Sequence, residues 1–533
     1  MKKHRILSII LAGALLAGVF AACAPQQQTG PTAATPTAPA ATTTGASAQA
    51  TADESISEGR GITIAILAET PSVAPARHTA TEGTFKNVLT HNGLFRLTHD
   101  TLEPVPDLVA GWRSLSDSVF EFTLHEGIMF HNGMEMTAED VVASMYYVRT
   151  YPIAAPFHAS IVGAEVIDRY TFTLDTGEPN AMLFYDLGFQ ANFIMPAPLI
   201  EAGHDFQVDP VGSGPFVFEN WSTGNSLTFT RFDNYFDSER SAKVDFVDWR
   251  VVPEGALRTL ALENNEVDIV VEVSFPDVPR LEANPNITVS QIPSTRFSYL
   301  LLNNDLPQFE NVYARRAIDM ALDKEAMLVA SLEGFGAPTW QTTPPVFPGS
   351  SLEGIRSFDP EGARALLAEH NIDPASLAFV MTTYSEENRR RAEVVQSNLA
   401  DIGIPTTIIG IDFAAWLDAT RDGTYEAAFG AFTASNMLMF MRSTMHLDAI
   451  PAPNRSRIRN QELTELISQA IATTVDADAR IALLEEASRV SNEHSGFIPT
   501  NTNVIVRAFN SNLAVPEIAP TGVKALNMAY WIE

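Results

Sequence analysis

The sequence predicts an α/β body of several subdomains, and two observations carry that prediction. Short apolar runs of strand character are interleaved with capped segments of helical periodicity. Hydrophobic residues make up 46% of the 533 and charged residues 18%, enough material for packed cores along most of the chain. No internal repeat interrupts the pattern.

Taken in order, Gly61-Ile62-Thr63-Ile64-Ala65-Ile66-Leu67 reads as a buried first strand, and Val119-Phe120-Glu121-Phe122-Thr123-Leu124 alternates as a half-buried one. Thr137-Ala138-Glu139-Asp140 has the capping-box spacing that starts a helix, here through Val141, Val142, Met145 and Val148. Val267-Asp268-Ile269-Val270-Val271 and Phe297-Ser298-Tyr299-Leu300-Leu301-Leu302 read as interior strands. Asp359-Pro360-Glu361 starts another helix, a cap followed by proline at the first helical position. A helix from about Arg389 carries Val394, Val395, Leu399 and Ile402 on one face and stops at Gly403.

The first residues predict export. Lys2, Lys3 and Arg5 precede an apolar run over 6–22 that ends in small residues, as a signal peptide does. The only cysteine, Cys23, follows directly in Phe20-Ala21-Ala22-Cys23, which resembles a bacterial lipobox, whose cysteine is lipidated and becomes the mature N-terminus. The alternative is an ordinary cleaved signal with an incidental cysteine. Residues 24–52 contain only Ala, Thr, Pro, Gln, Gly and Ser, too little apolar surface to offset the entropy of ordering. They read as a disordered tether, about 30 Å end to end as a coil and up to about 90 Å extended. No later segment is apolar enough over a sufficient length to cross a membrane.

Charge and composition exclude several functions. A formal charge of −30 opposes phosphate backbones, so no nucleic-acid partner is expected. One cysteine excludes a disulfide framework and a thiolate zinc site. His125-Glu126 followed by His131 lacks the spacing of a zinc-protease helix and reads as a surface turn. Gly212-Ser213-Gly214, followed by Pro215, is a turn and not a nucleophile elbow. Phosphate-cradling glycine motifs are absent, and the Glu485–Glu486 pair reads as a solvated face. Met437, Met439, Met441 and Met445 with His446 suggest packing or an adaptable ligand surface before a soft metal. No enzyme activity, cofactor or metal site is expected.

Several blocks agree with one family. Pro104-Val105-Pro106-Asp107-Leu108-Val109-Ala110-Gly111-Trp112 follows Gly93-Leu94-Phe95, and Phe130-His131-Asn132-Gly133 leads to Thr137-Ala138-Glu139-Asp140-Val141. Val211-Gly212-Ser213-Gly214-Pro215-Phe216, the strand end at 231–235, and Asn311-Val312-Tyr313-Ala314-Arg315-Arg316-Ala317-Ile318 through Asp323-Lys324 follow in order. Residues 391–404 and 416–432 complete the set. Together they resemble the extracellular solute-binding proteins of family 5, which serve peptide, dipeptide and nickel ABC importers, over nearly all of 60–533. The resemblance implies a two-lobed periplasmic-binding-protein-like (type II) clamshell with an extra inserted domain. Transferred to this numbering, lobe one (domain I) covers 53–88, 208–297 and 498–533, the insert (domain II) covers 89–207, and lobe two (domain III) covers 298–497. The crossings that form the hinge are expected near 296–304 and 495–500.

The function so implied is that of an ABC-importer lipoprotein, a monomer that captures oligopeptides or a similar solute and delivers it to permease and ATPase subunits. It would act outside the cytoplasm, tied to the membrane by lipid on Cys23. The alternatives are a nickel chelate, a sugar or another non-peptide solute on the same scaffold, a receptor role, or, least favoured, a secreted hydrolase. In peptide-binding members a carboxylate shortly after a Gly-Trp pair in the late strand takes the peptide ammonium. The matching stretch, Gly430-Ala431-Phe432-Thr433-Ala434-Ser435-Asn436, places Ser435 there. An ammonium buried without a partner is costly, so either Asp412 or Asp418 replaces the missing group or the ligand lacks a free amine. Expected cleft residues are Phe432, Ser435 and Asn436, with Asn303 and Asn304 after the crossover. Trp340 and Trp416 are candidate walls, and Arg296 either pairs a ligand carboxylate or braces the hinge.

Overall fold

The computed structural model describes residues 60–78, 81–98, 102–154, 157–516 and 528–532; the expected signal, Cys23 and the tether lie outside the described residues. The main sheet runs, edge to edge, through Thr406–Gly410, Phe379–Thr383, Ala427–Thr433, Ile287–Leu302, Phe497–Asn510, Ile269–Val271, Ile62–Ile66, Phe246–Val251, Ser226–Arg231 and Phe216–Ser222. Two central members, Ile287–Leu302 and Phe497–Asn510, are 16 and 14 residues long and pair antiparallel along their length. Their pairing is regular from Ile287–Asn510 to Pro293–Val504 and resumes at Phe297–Thr502. Between these points residues 294–296 face Asn503 alone, a bulge that bends and twists the ribbon. This break meets the expected crossing at residue 296, and a second register shift, between Ser298 and Tyr299 opposite Thr500, falls within the expected crossings at 296–304 and 495–500.

On one side of the break Ile62–Ile66 lies parallel to both Phe246–Val251 and Ile269–Val271. Ile62 and Ile64 pack with Phe229 and Trp249, and Ala65 packs oppositely with Val270 and Val506, so the strand is covered on both faces. That burial is why its sequence is a continuous apolar run without alternation. On the other side Phe379–Thr383 and Thr406–Gly410 lie parallel to Ala427–Thr433. One face of this half packs Leu300, Leu302 and Phe429 on Val395 and Leu399; the other packs Phe297, Tyr299 and Leu301 on Phe440 and Phe497.

Local signals place the helices. Thr137 N–H donates to Asp140 Oδ2 at 2.7 Å ahead of the helix Ala138–Val148. Asp359 accepts from Gly362 N–H at 2.8 Å at the start of Pro360–Glu369. The helix expected from Arg389 begins earlier, as Glu386–Asp401, because Ser385 supplies the cap by accepting from Asn388 N–H. No helix among the described residues is long and apolar enough to cross a membrane.

A separate antiparallel sheet, ordered Val109–Ser114, Val119–Leu124, Thr171–Asp175 and Gly163–Val166, packs Phe120, Phe122, Leu124 and Phe172 against Val141 and Met145 of Ala138–Val148. The chain returns from it through Gly212-Ser213-Gly214, where glycine is required by close approach. A Cβ at Gly212 would lie 2.1 Å from Thr90 O, and one at Gly214 would lie 2.4 Å from Leu89 O. His131, expected in a surface turn, is instead half-buried against this return, because its ring reaches both glycines. Its Nε2–H meets Gly214 O at 3.0 Å, Gly212 N–H approaches Nδ1 at 3.4 Å, and the ring sits edge-on to Phe232.

Burial lowers the His131 imidazole to about 4, so the folded protein holds it neutral while an unfolded chain protonates near 6.5. The contribution of this group is therefore intact above pH 6.5 and declines toward pH 4, by up to about 3 kcal/mol. His131→Gln is expected to flatten the fall in urea-unfolding free energy across that window. An unchanged slope would show that His131 is not held neutral.

Candidate ligand-binding site

Strand direction locates the site. Ile269–Val271 runs antiparallel to Phe497–Asn510, with Ile269 opposite Phe509 and Val271 opposite Arg507, so its carboxyl end points toward the break at 502–504. Ile62–Ile66 and Phe246–Val251, parallel to it, point the same way. In the other half Ala427 faces Leu302 and Thr433 faces Arg296, so Ala427–Thr433 and its parallel neighbours also end toward the break. Ligands of open α/β sheets bind outside the carboxyl ends of parallel strands. Here two such edges aim at one bulged crossover.

The first edge is held by Arg258, only 4% exposed. Its guanidinium donates to Val252 O and Pro253 O at 2.7 Å each and to Glu272 O at 3.0 Å, clamping the loops that follow two of the parallel strands. Burial lowers its pKa from the ordinary guanidinium value, and the Glu272 and Glu254 charges oppose that shift. Leu67, after the central strand, stays exposed, while Glu69 accepts from Trp221 Nε1–H and Gly224 N–H.

The second edge is aromatic. Tyr384, Phe413 and Trp416 form a mutual cluster, with Tyr384 5.0 Å from each partner and Phe413 stacked on Trp416 at 5.8 Å. Phe413 is 52% exposed, so the cluster offers a ring face to solvent. Arg455 lies 5.4 Å over the Trp416 ring and donates to Thr420 Oγ1 and Leu417 O, which fixes the buried side of the wall. Phe432 is half-buried and edge-on to Phe440 at 6.1 Å. Ser435 Oγ accepts from Asn436 Nδ2–H and approaches Met439 Sδ at 3.4 Å, and Asn436 Oδ1 caps the helix Met437–Met445 through Met439 N–H. Arg296 is exposed at the break and has no ion pair among the described residues.

Three buried polar atoms near this region lack a hydrogen-bond partner among the described residues: Thr295 Oγ1 in the bulge, Trp416 Nε1 and Trp340 Nε1. Trp340 follows Ala337–Pro338, which pairs with Asn501 and Thr502, so it stands beside the crossover. The strand directions therefore group Arg296, Trp340, Trp416, Phe432, Ser435 and Asn436. Asn303 and Asn304 are not with them, because Ile287–Leu302 runs antiparallel to the late strand and ends where that strand begins. Asn303 Nδ2 donates to Gly423 O and Tyr425 O, and Asn304 Nδ2 donates to Leu302 O, Ser456 O and Gly496 O, so these amides brace loops at the opposite end.

Of the two candidate replacement carboxylates, Asp418 is paired with Arg421 at 2.7 Å. Asp412 is exposed at the ligand edge, with Oδ1 capping the helix Phe413–Asp422 through Ala415 N–H. Tyr384 and Phe413 were not singled out from sequence; their signal is position, each adjoining a helix cap (Ser385 and Asp412) directly after an apolar strand. Met437, Met441 and Met445 are core residues, and His446 Nε2 lies 3.0 Å from Ser468 Oγ. Among the described residues no cluster of three His, Cys, Asp or Glu could hold a metal ion.

Comparison with known proteins is consistent across sequence and structure. The family model for bacterial extracellular solute-binding proteins, family 5 (middle region), matches residues 103–446. Heme-binding protein A of Haemophilus influenzae is 24% identical over 79% of this chain and 84% of its own, and the dipeptide-binding protein of Escherichia coli is 23% identical over 65% and 70%. HbpA2 from Haemophilus parasuis superposes with a TM-score of 0.81 at 21% identity, covering 88% of this chain and 99% of that one. DppA from Helicobacter pylori in complex with the peptide STSA superposes at 0.72 with 25% identity, covering 89% and 99%.

Arg258→Met removes three charge-assisted hydrogen bonds at once. The expected result is a loss of about 2 kcal/mol in urea-unfolding free energy, part of the bond energy being recovered by water at the exposed loops. An unaltered midpoint would show that the clamp does not order this edge.

Proposed function

The chain belongs to family 5 of the bacterial extracellular solute-binding proteins, which are transport components, and on that premise we propose that it captures an oligopeptide or related small solute between its two halves for an ABC importer. The observation that carries this reading is the convergence of two sets of parallel-strand carboxyl ends on one bulged crossover. A solute touching both edges stabilises the closed arrangement by its differential affinity for that state, and the closed form is what a permease can recognise. In this reading domain I comprises 53–88, 208–297 and 498–533, domain II 89–207 and domain III 298–497. Lipid on Cys23 and the 23–52 tether keep the monomer beside the permease and its ATPase, outside the cytoplasm, and no chemistry is performed on the solute.

Phe432, Trp416, Tyr384 and Phe413 supply apolar contact. Trp340 Nε1–H offers a buried donor, Ser435 and Asn436 offer polar atoms at the helix cap, and Arg296 offers a cation for an acidic group. Asp412 is the carboxylate available at this edge to an ammonium. A second reading, a non-peptide solute without a free amine, is favoured by one observation: Ser435 stands where peptide-binding members of the family are expected to carry the ammonium partner.

Mass spectrometry of material co-purifying with residues 53–533 separates the two. Di- to pentapeptides support the first reading, whereas an oligosaccharide or a nickel chelate overturns it in favour of the second. Ser435→Asp is expected to raise affinity for free-amine peptides over their N-acetylated forms by about tenfold, as calorimetry would measure, since that ratio corresponds to about 1.4 kcal/mol. An unchanged ratio would remove Ser435 from the amine subsite.

A further inference from the structure

The separate antiparallel sheet and its helices are joined by backbone only to the half built on Ile62–Ile66, yet they touch the other half directly. Ala181 N–H donates to Ile471 O at 2.7 Å, a backbone bond to the end of the helix Gln461–Ala472. Beside it Tyr185 Oη lies 3.0 Å from each Glu103 carboxylate oxygen, and Arg480 Nη2 lies 3.9 Å from Glu103 Oε2. Burial and the Glu103 charge hold the Tyr185 phenol above its ordinary pKa, so its hydroxyl remains a donor. Arg480 is itself fixed, donating to Thr473 O and Thr474 O. Leu102 and Met182 complete the contact by joining the apolar cluster of Phe347, Met437 and Leu484. The space left at the seam is about 10 Å³, room for one water at most.

We propose that this contact is a latch: the Glu103–Tyr185–Arg480 cluster and the Ala181–Ile471 bond fasten the inserted domain onto lobe two and hold the clamshell closed from its rim. The insert is an outgrowth of lobe one, so every contact it makes with lobe two bridges the moving parts, and none of these residues belongs to the strand edges that face the crossover. A polar triad at the edge of an apolar seam also favours one register of the closed state, because sliding would part Glu103 from both Tyr185 and Arg480. Closure is then stabilised by solute at the crossover and by the latch at the rim, the two being joined through one apolar cluster that also holds Trp416 and Phe432. The inference rests on the two-lobed arrangement and needs no particular solute.

The test uses the full chain with Cys23→Ser, so that introduced thiols are the only ones. Ala181→Cys with Ile471→Cys places thiols on two backbones already in hydrogen-bond contact. Oxidation without added solute is expected to trap, as the intramolecular disulfide, the closed fraction that the chain samples, and Glu103→Ala or Tyr185→Phe in that background is expected to slow this several-fold at unchanged Tm. No disulfide in a protein of native Tm, or equal rates in the variants, would overturn the latch. Hydrogen exchange in the chain without introduced cysteines guards against a misfolded double variant: the Ala181 amide is expected to be protected and to lose that protection in Glu103→Ala. An Ala181 amide that exchanges as fast as exposed loop amides would equally overturn the proposal. These readouts need no solute, so their failure is distinguishable from failure of the transport reading.

Discussion

One pair of antiparallel strands holds the molecule together across its two halves. Ile287–Leu302 and Phe497–Asn510 hydrogen-bond to each other on both sides of the bulge at 294–296, and every other strand of the main sheet is positioned relative to them. Pairing is regular up to Pro293–Val504, and a second, smaller shift follows the bulge at Ser298–Tyr299. The interruption, where three residues oppose one, concentrates bending where the ladder is already broken. It also fixes where the ligand edges meet, since strand polarity on either side is set by register with the same two strands.

Buried arginines are the second recurring device. Arg258 gathers three carbonyls at the edge of one half. Arg315, far from the crossover, donates to Phe309 O, Glu310 O, His494 O and Ser495 O, tying the helix Val312–Ala321 to the chain just before the last long strand, and burial lowers its guanidinium to about 10. Loop carbonyls at strand ends have no ladder partner, and a planar five-donor group satisfies several from one point. The ligand edge of the other half differs: Arg455 fixes its buried side, while the Phe413 ring and Arg296 are exposed. One edge is thus preorganised by internal hydrogen bonds while the other keeps surface for a guest.

Much of this was legible in the sequence. The first strand, the alternating strand Val119–Leu124 and the caps at Thr137 and Asp359 stand where their local chemistry places them, because these signals act over a few residues. The blocks that resembled family 5 carried the two-lobed class. Strand polarity was not legible. Asn303 and Asn304 follow the crossover in sequence but lie at the far end of their half, since sequence order does not tell which way a strand points. His131 was read as a surface residue because its partners, Gly212 and Gly214, are some eighty positions away. The insert's contact with lobe two, Ala181 to Ile471, depends on a separation larger still.

Closure around a guest changes the overall dimensions of the protein, which small-angle scattering measures. The purified chain would be compared before and after its bound solute is stripped by reversible unfolding, then again once the solute is restored. Two halves bending at 294–296 predict a larger radius of gyration in the stripped protein and recovery of the smaller value on adding the solute back. Superimposable curves in all three states would contradict a moving clamshell.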